Sequence, residues 1–147
     1  MSESNVRIEC ATLARCADAL ARIPELDRLS LGAIEERIGD SPFIALVASV
    51  DGCDVGCKLG YWVDDRNFYS WMGGVCQDFR RRGIADALLN EQERRVVENG
   101  GTVVTVKSMN RYPAMIVFLV ARGYSIVGFD EQSQKILFHK QFTNSGV

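Results

Sequence analysis

A run of three arginines ends at a glycine in the middle of the sequence, from Arg80 to Gly83. An amphipathic pattern over residues 83–99 predicts a helix that starts there. A helix N-terminus carries unpaired N–H groups and a partial positive charge, so it binds anions. Gly83 would let a ligand approach the backbone, and arginine side chains match phosphate oxygens. The stretch therefore indicates a pyrophosphate site.

The same stretch has a simpler interpretation, a solvated charge run at the start of a helix. Cations at a helix N-terminus oppose the helix dipole, however, so three of them favour a bound anion. The formal net charge of the chain is -2, which argues against a nucleic-acid partner because such a partner needs a broadly basic surface. We therefore expect a small, local anion.

The cysteines and the single histidine are the candidate metal ligands. Cys53 and Cys57 in CDVGC resemble half of a metal site, but no second half follows, and His139 lies far along the chain in a strand pattern. The five scattered cysteines without a secretory signal indicate reduced thiols and a cytoplasmic protein. We expect no metal, and no membrane association because no apolar run is long enough to span a bilayer.

The length of 147 residues, with 47% hydrophobic and 24% charged residues, predicts a single globular domain over residues 1–147. Ser30 is placed to cap a helix over residues 31–38, and Pro24 to end one over residues 11–23. Asp51-Gly52 predicts a tight hairpin. Strands are predicted over residues 5–10, 42–50, 55–63, 68–75, 102–107, 124–129 and 135–142, and a buried helix over 113–121. This order predicts one α+β domain.

Two segments resemble the GNAT superfamily of acetyl-CoA-dependent N-acetyltransferases. Within VCQDFRRRGIADALL, the spacing Arg80-x-x-Gly83-x-Ala85 fits that family's [Q/R]-x-x-G-x-[G/A] signature. SMNRYPAMIVFLVARGY is similar to the family's asparagine turn, fourth helix and closing glycine-aromatic pair. The resemblance implies the GNAT fold, a mixed central sheet of about six to seven strands with a V-shaped splay after a bulge, flanked by about four helices.

The resemblance also implies an acyltransferase that moves an acetyl group from acetyl-CoA to a primary amine of a small molecule or peptide, by direct attack in a ternary complex. Gly73-Gly74 would accommodate the bulge. A backbone N–H near Val75 would stabilise the oxyanion. The cofactor-binding residues that it implies are Val75, Cys76, Gln77, Arg80, Arg81, Arg82, Gly83, Ile84, Ala85, Asp86 and Asn110.

The general acid and base are less well defined than the cofactor site. The family usually has a tyrosine four residues before the glycine that is Gly123 here, but this chain has Leu119. Tyr112 is our first substitute as the acid, ahead of Tyr61 and Tyr69, whose positions are more typical of core or acceptor-pocket aromatics. No carboxylate occurs in FYSWMGGV. Asp64, Asp65 and Glu35 acting through water are the candidate bases, although the position of each is more typical of a surface residue. The alternative is an amine that arrives neutral.

Two other functional classes fit parts of the pattern. An acyl-CoA-binding sensor or interaction module without turnover would explain Leu119 and the missing strand carboxylate. A generic phosphate-binding domain would leave the bulge and the Asn110 turn without a purpose. The sequence does not define the acceptor amine. Homodimers are common among relatives, so a homodimer is possible.

Overall fold

The computed structural model describes residues 5–23 and 29–143. The described residues form seven strands, four α-helices and one 3-10 turn. In chain order these elements are β1 (Val6–Cys10), α1 (Leu13–Leu20), α2 (Leu31–Ile38), β2 (Phe43–Val50), β3 (Cys53–Trp62), β4 (Asn67–Val75), the 3-10 turn (Gln77–Phe79), α3 (Ile84–Glu98), β5 (Val103–Ser108), α4 (Pro113–Ala121), β6 (Ser125–Asp130) and β7 (Lys135–Gln141).

The strands form one mixed sheet in the order β1-β2-β3-β4-β5-β7-β6. Every neighbouring pair is antiparallel except β4 and β5. A parallel pair requires a long crossover connection, and α3 is that connection. The predicted α+β architecture of seven strands and four helices is therefore confirmed.

Local signals in the sequence produce the helix starts and the first hairpin. The side chains of Thr12 and Ser30 each accept a backbone N–H at 3.1 Å, from Arg15 and Ala33, and so cap α1 and α2. Asp51 and Gly52 both have positive φ, 50° and 84°, as a type I′ hairpin turn requires. Pro24, expected to end α1, lies outside the described residues.

The sheet has a core on each side. On one side, α3 and α4 pack on the sheet through residues such as Leu88, Val96 and Leu119. On the other side, α1 and α2 cover β2 and β3 with residues such as Cys16 and Ile34. That second side is only partly covered along β5 and β7, where the side chains that face it are half-buried or exposed: Thr105, Lys107, Leu137 and His139.

The β4 strand separates from β5 halfway along its length. The two strands pair only from Asn67 to Ser70. A bulge follows at once, because Leu59 and Gly60 on β3 pair with Met72 and Ser70, which leaves Trp71 as the extra residue. The sequence prediction of a bulge at Gly73-Gly74 is therefore wrong by two residues. Trp71 can serve because such a bulge does not require a glycine.

Glycines near the bulge make room for neighbouring side chains instead. A Cβ atom on Gly60 would lie 2.4 Å from the Phe68 ring, and one on Gly73 would lie 3.2 Å from Cγ of Lys58. Gly73 thus lets the Lys58 side chain lie across β4.

None of the helices within residues 5–23 and 29–143 has the length and apolar character that a membrane span requires.

Candidate functional site

The separation of β4 from β5 creates a slot beside the last residues of β4. The Cys76 N–H donates to the Val55 carbonyl on β3 at 2.7 Å. In antiparallel pairing, residues that bond to the partner strand alternate with residues that do not, so the backbone groups of Gly73 and Val75 point away from β3. They face the slot, because pairing with β5 has ended at Ser70. An extended ligand can hydrogen-bond there like an added strand.

A cleft of about 390 Å³ continues from the slot to the start of α3. Its lining combines the end of β4, the arginine-glycine turn, the first turn of α3 and the last turn of α4. These lining residues are Val75, Phe79, Arg80, Arg81, Gly83, Ile84, Ala85, Asp86, Phe118 and Arg122. The structure thus brings most of the predicted cofactor-binding residues together at one opening.

The first turn of α3 presents backbone donors to this cleft. Gly83 is the N-cap, with φ 78° in the left-handed region, and it supplies no side-chain cap. The first intrahelical bond runs from the Ala87 N–H to the Gly83 carbonyl at 3.0 Å. The N–H groups of Ile84, Ala85 and Asp86 therefore have no partner within the helix. Such donors, together with the helix dipole, are the features that an anion site requires.

The three arginines have different surroundings. Nε of Arg80 donates to the Val75 carbonyl at 3.0 Å, which ties the turn to the end of β4. Arg81 lines the cleft and has a positive φ of 62°. The Arg82 guanidinium lies 4.9 Å from the centre of the Phe79 ring, and Arg82 is not part of the cleft lining. Arg80 and Arg81 are therefore better placed for an anion than Arg82.

The sequence analysis missed Arg122, which lines the cleft opposite the arginine turn. Its Nε and Nη2 atoms donate to the two carboxylate oxygens of Asp86. Its guanidinium carbon also lies 3.9 Å from the centre of the Phe118 ring. The hydrogen bonds from Arg122 lower the pKa of the Asp86 carboxyl. Arg122 thereby balances a negative charge that would otherwise oppose an anion at the same helix end.

Two residues predicted beside Val75 are less well placed. Both backbone groups of Cys76 are engaged within the chain, since its N–H bonds Val55 and its carbonyl accepts the Phe79 N–H at 2.9 Å. The Cys76 N–H is therefore not available to a ligand in the slot, and the predicted contact of Cys76 with the cofactor stays a prediction. Gln77 is exposed in the 3-10 turn and does not line the cleft.

Asn110 and Tyr112 lie apart from the cleft. Asn110 lines a separate depression of about 320 Å³ with Met109, Arg111 and Gln134. Tyr112 is the N-cap of α4, its ring 5.1 Å from the Arg111 guanidinium carbon, and it does not line the cleft. The structure therefore does not group either residue with the anion site, and their roles stay predictions.

The position of the family's usual tyrosine is part of the core. Leu119 is 1% exposed and packs on the side of the sheet that α3 covers, whereas its neighbour Phe118 lines the cleft.

Among the suggested bases, Asp64 accepts the backbone N–H groups of Arg66 and Asn67 at 2.9 Å. The bond from Arg66 and those from Asn67 lower its pKa. Asp64 is therefore a turn residue and a weak base.

Lys58 is a second residue that the sequence analysis missed. Its side chain crosses β4 above Gly73 and lies within electrostatic range of Glu93 on α3. Burial lowers the pKa of the Lys58 amine to about 8. Glu93 itself accepts the Tyr124 hydroxyl at 2.8 Å and the Lys140 ammonium at 3.2 Å. The only sequence signal for this burial is that Lys58 lies between apolar residues in a predicted strand.

The chain is similar in sequence to known acetyltransferases. An acetyltransferase of Pectobacterium atrosepticum is 36% identical over 77 residues, which are 52% of this chain. The match spans half the length of that relative. No protein-family model matches the chain.

The fold is similar to solved acetyltransferases over nearly the whole chain. Ard1 from Thermoplasma volcanium superposes with a TM-score of 0.80 at 17% identity, covering 95% of this chain and 99% of that one. A GNAT family acetyltransferase from Elizabethkingia anophelis, solved with acetyl-CoA bound, gives a TM-score of 0.77 at 14% identity, with 95% and 100% coverage. The chain therefore has the fold of these GNAT acetyltransferases.

Proposed function

We propose that the protein is an acetyl-CoA-dependent N-acetyltransferase that acts on a primary amine by direct attack in a ternary complex. One observation carries this proposal: the slot beside Gly73 and Val75 opens into the anion site at the start of α3. A ligand with an extended amide arm and a pyrophosphate fits such a continuous path. The similarity to acetyltransferases supports the same conclusion.

The first turn of α3 would hold the pyrophosphate. The N–H groups of Ile84, Ala85 and Asp86 would donate to its oxygens, with Arg80 and Arg81 adding charge from the preceding turn. Gly83 keeps this approach open, because no protein atom lies within 4 Å of the place where its Cβ would be. The backbone of Gly73 would bind the pantetheine arm along the slot, one pairing position before the Val75 N–H.

The transfer step needs few protein groups. A neutral amine attacks the thioester carbonyl carbon, the C–N bond forms and the C–S bond breaks, and the proton lost by the amine ends on the thiol. The Val75 N–H would donate to the carbonyl oxygen as negative charge develops on it. A thiol has a pKa of about 8.5, so the thiolate leaves without strong acid assistance. Leu119 at the usual tyrosine position is compatible with such a step.

Calorimetric titration with acetyl-CoA tests the binding part of this proposal. We expect micromolar affinity and a higher melting temperature, because a ligand that binds only the native state stabilises it. The matched control is a nucleotide without the pantetheine arm, which should bind more weakly. No heat and no thermal shift at saturating acetyl-CoA would overturn the assignment.

A second candidate function is an acyl-CoA sensor without turnover. The burial of Leu119 favours it, since the usual acid is replaced by a core side chain. A sensor and an enzyme would both bind acetyl-CoA. They differ in amine-dependent release of coenzyme A, which only the enzyme produces.

A further inference from the structure

A strip of aromatic side chains lies on the sheet side opposite α3 and α4, next to the bulge. It consists of Tyr61, Tyr69 and Trp71. The Tyr61 ring centre lies 5.5 Å from that of Tyr69 and 5.9 Å from that of Trp71, both edge-on. Tyr61 and Trp71 are half-buried. The strip is therefore an apolar surface, partly exposed to solvent, at the point where β4 separates from β5.

Two cations flank this aromatic strip. The Arg37 guanidinium carbon from α2 lies 4.9 Å from the Trp71 ring centre, and its Nε donates to the Tyr61 hydroxyl at 3.0 Å. The Lys107 ammonium from β5 lies 5.2 Å from the Tyr69 ring centre. Stacking on the rings and the bond to Tyr61 position Arg37, while its two terminal nitrogens remain to donate.

Neither cation has an ion-pair partner among residues 5–23 and 29–143. The Asp130 carboxylate accepts the Ser133 hydroxyl at 2.8 Å and the Gln132 N–H at 3.1 Å. These hydrogen bonds lower the pKa of Asp130, and the charge of Lys107 contributes to the same shift without an ion-pair contact. Arg37 and Lys107 are thus positioned beside the aromatic strip, and neither forms an ion pair with a carboxylate of the described residues. An anionic group on a ligand would supply that match.

The position of the aromatic strip beside the slot indicates which substrate would carry this anionic group. A gap between two strands lies between the two faces of the sheet, and α3, α4 and the cleft at the start of α3 occupy one of these faces. A second substrate that must reach the slot therefore approaches from the side with the aromatic strip. Resting on the proposed function, we infer that the acceptor is an amine that also carries a carboxylate, which Arg37 and Lys107 bind while the strip supports its carbon skeleton.

Matched acceptor pairs test this inference. Each pair has the same amine and differs only in carrying a carboxylate or the corresponding carboxamide, first as free amino acids and then as short peptides with an acidic or amide side chain. We expect the carboxylate member to have a kcat/KM about tenfold higher, as is typical of a charge-assisted hydrogen bond. The two arms distinguish a small-molecule acceptor from a peptide.

Variants then connect the preference to the two cations. Arg37→Gln and Lys107→Gln should each shrink the carboxylate preference through KM while acetyl-CoA affinity is unchanged, and Arg37→Lys should restore part of it. Arg7→Gln, which removes an exposed cation from the far edge strand β1, is the matched control and should change nothing.

Three outcomes would overturn the inference while acetyl-CoA still binds. The first is equal rates for carboxylate and carboxamide acceptors, and the second is a carboxylate preference that survives in both glutamine variants. The third is that no carboxylate-bearing amine is acetylated, whether no amine reacts or only a phosphate-bearing amine does. Failure of the parent protein to bind acetyl-CoA would instead overturn the proposed function on which the inference rests.

Discussion

Arg122 at the end of α4 forms a two-pronged ion pair with Asp86 in the first turn of α3, at the mouth of the cleft. The two residues are 36 positions apart in the chain. The pair links the two helices that flank the slot. The pair also affects anion binding at the cleft, because the Asp86 carboxylate occupies Arg122 N–H donors that a phosphate would otherwise use.

The two partners of this pair should affect acetyl-CoA affinity in opposite directions. Asp86→Asn releases Arg122 toward the phosphates and removes a like charge, so affinity should rise several-fold. Arg122→Gln leaves Asp86 unbalanced beside the anion site, so affinity should fall by about tenfold. Calorimetry at two salt concentrations measures both effects, which should shrink at higher salt. Changes of the same sign in both variants would contradict this role.

Gly83 should be essential for cofactor binding and not for folding. Gly83→Val places a branched side chain at the anion site and strains a left-handed residue, at a cost of about 1–2 kcal/mol. Gly100→Val is the matched control, because Gly100 also has a positive φ, 87°, with no atom within 4 Å of its Cβ position. Both variants should melt at similar, lowered temperatures, and only Gly83→Val should lose acetyl-CoA binding. Unchanged binding by Gly83→Val would refute the anion site.

Tyr112→Phe tests the predicted general acid. If the phenol protonates the leaving thiolate, turnover should fall by about tenfold or more with cofactor affinity unchanged. Leu119→Tyr is the comparison: because Leu119 is 1% exposed, a larger side chain should cost about 1–3 kcal/mol of stability and should not accelerate the reaction. Equal turnover in Tyr112→Phe and the parent would remove Tyr112 from the mechanism.

Lys58 should give the protein a distinctive pH dependence of stability. Burial lowers the pKa of its amine from 10.5 to about 8. The folded state therefore binds this proton less tightly than the unfolded state, and the penalty of about 3 kcal/mol is fully present below pH 8 and disappears as pH rises past 10.5.

Denaturant unfolding of Lys58→Met measures this penalty. The variant should be more stable than the parent at pH 7, and the difference should shrink toward pH 10. Lys107→Met, which removes an exposed lysine, should follow the parent between pH 7 and pH 10. A Lys58→Met variant whose advantage does not depend on pH would show that the amine is not desolvated.

Local sequence patterns were enough to predict the elements and the start of α3 at Gly83. Ser30 caps α2 as predicted, and Gly83 stands at the start of α3 with the backbone conformation that favours glycine. The bulge at Trp71 was not predicted, because its position depends on cross-strand pairing with β3. Arg122 and Arg37 were missed because each acts through contacts with residues distant in sequence. Such contacts leave no periodic pattern for a single sequence to show.

The central claim is that the protein transfers acetyl groups to amines, and amine-dependent release of coenzyme A by the parent protein tests it most directly. The assay follows free thiol from acetyl-CoA across a panel of amino acids, peptides and simple amines, with mass spectrometry to detect the acetylated product. We predict thiol release that requires the amine, rises with pH as the amine loses its proton, and is absent in Gly83→Val. Tight acetyl-CoA binding with no acetylated product from any amine would contradict the claim and favour the sensor.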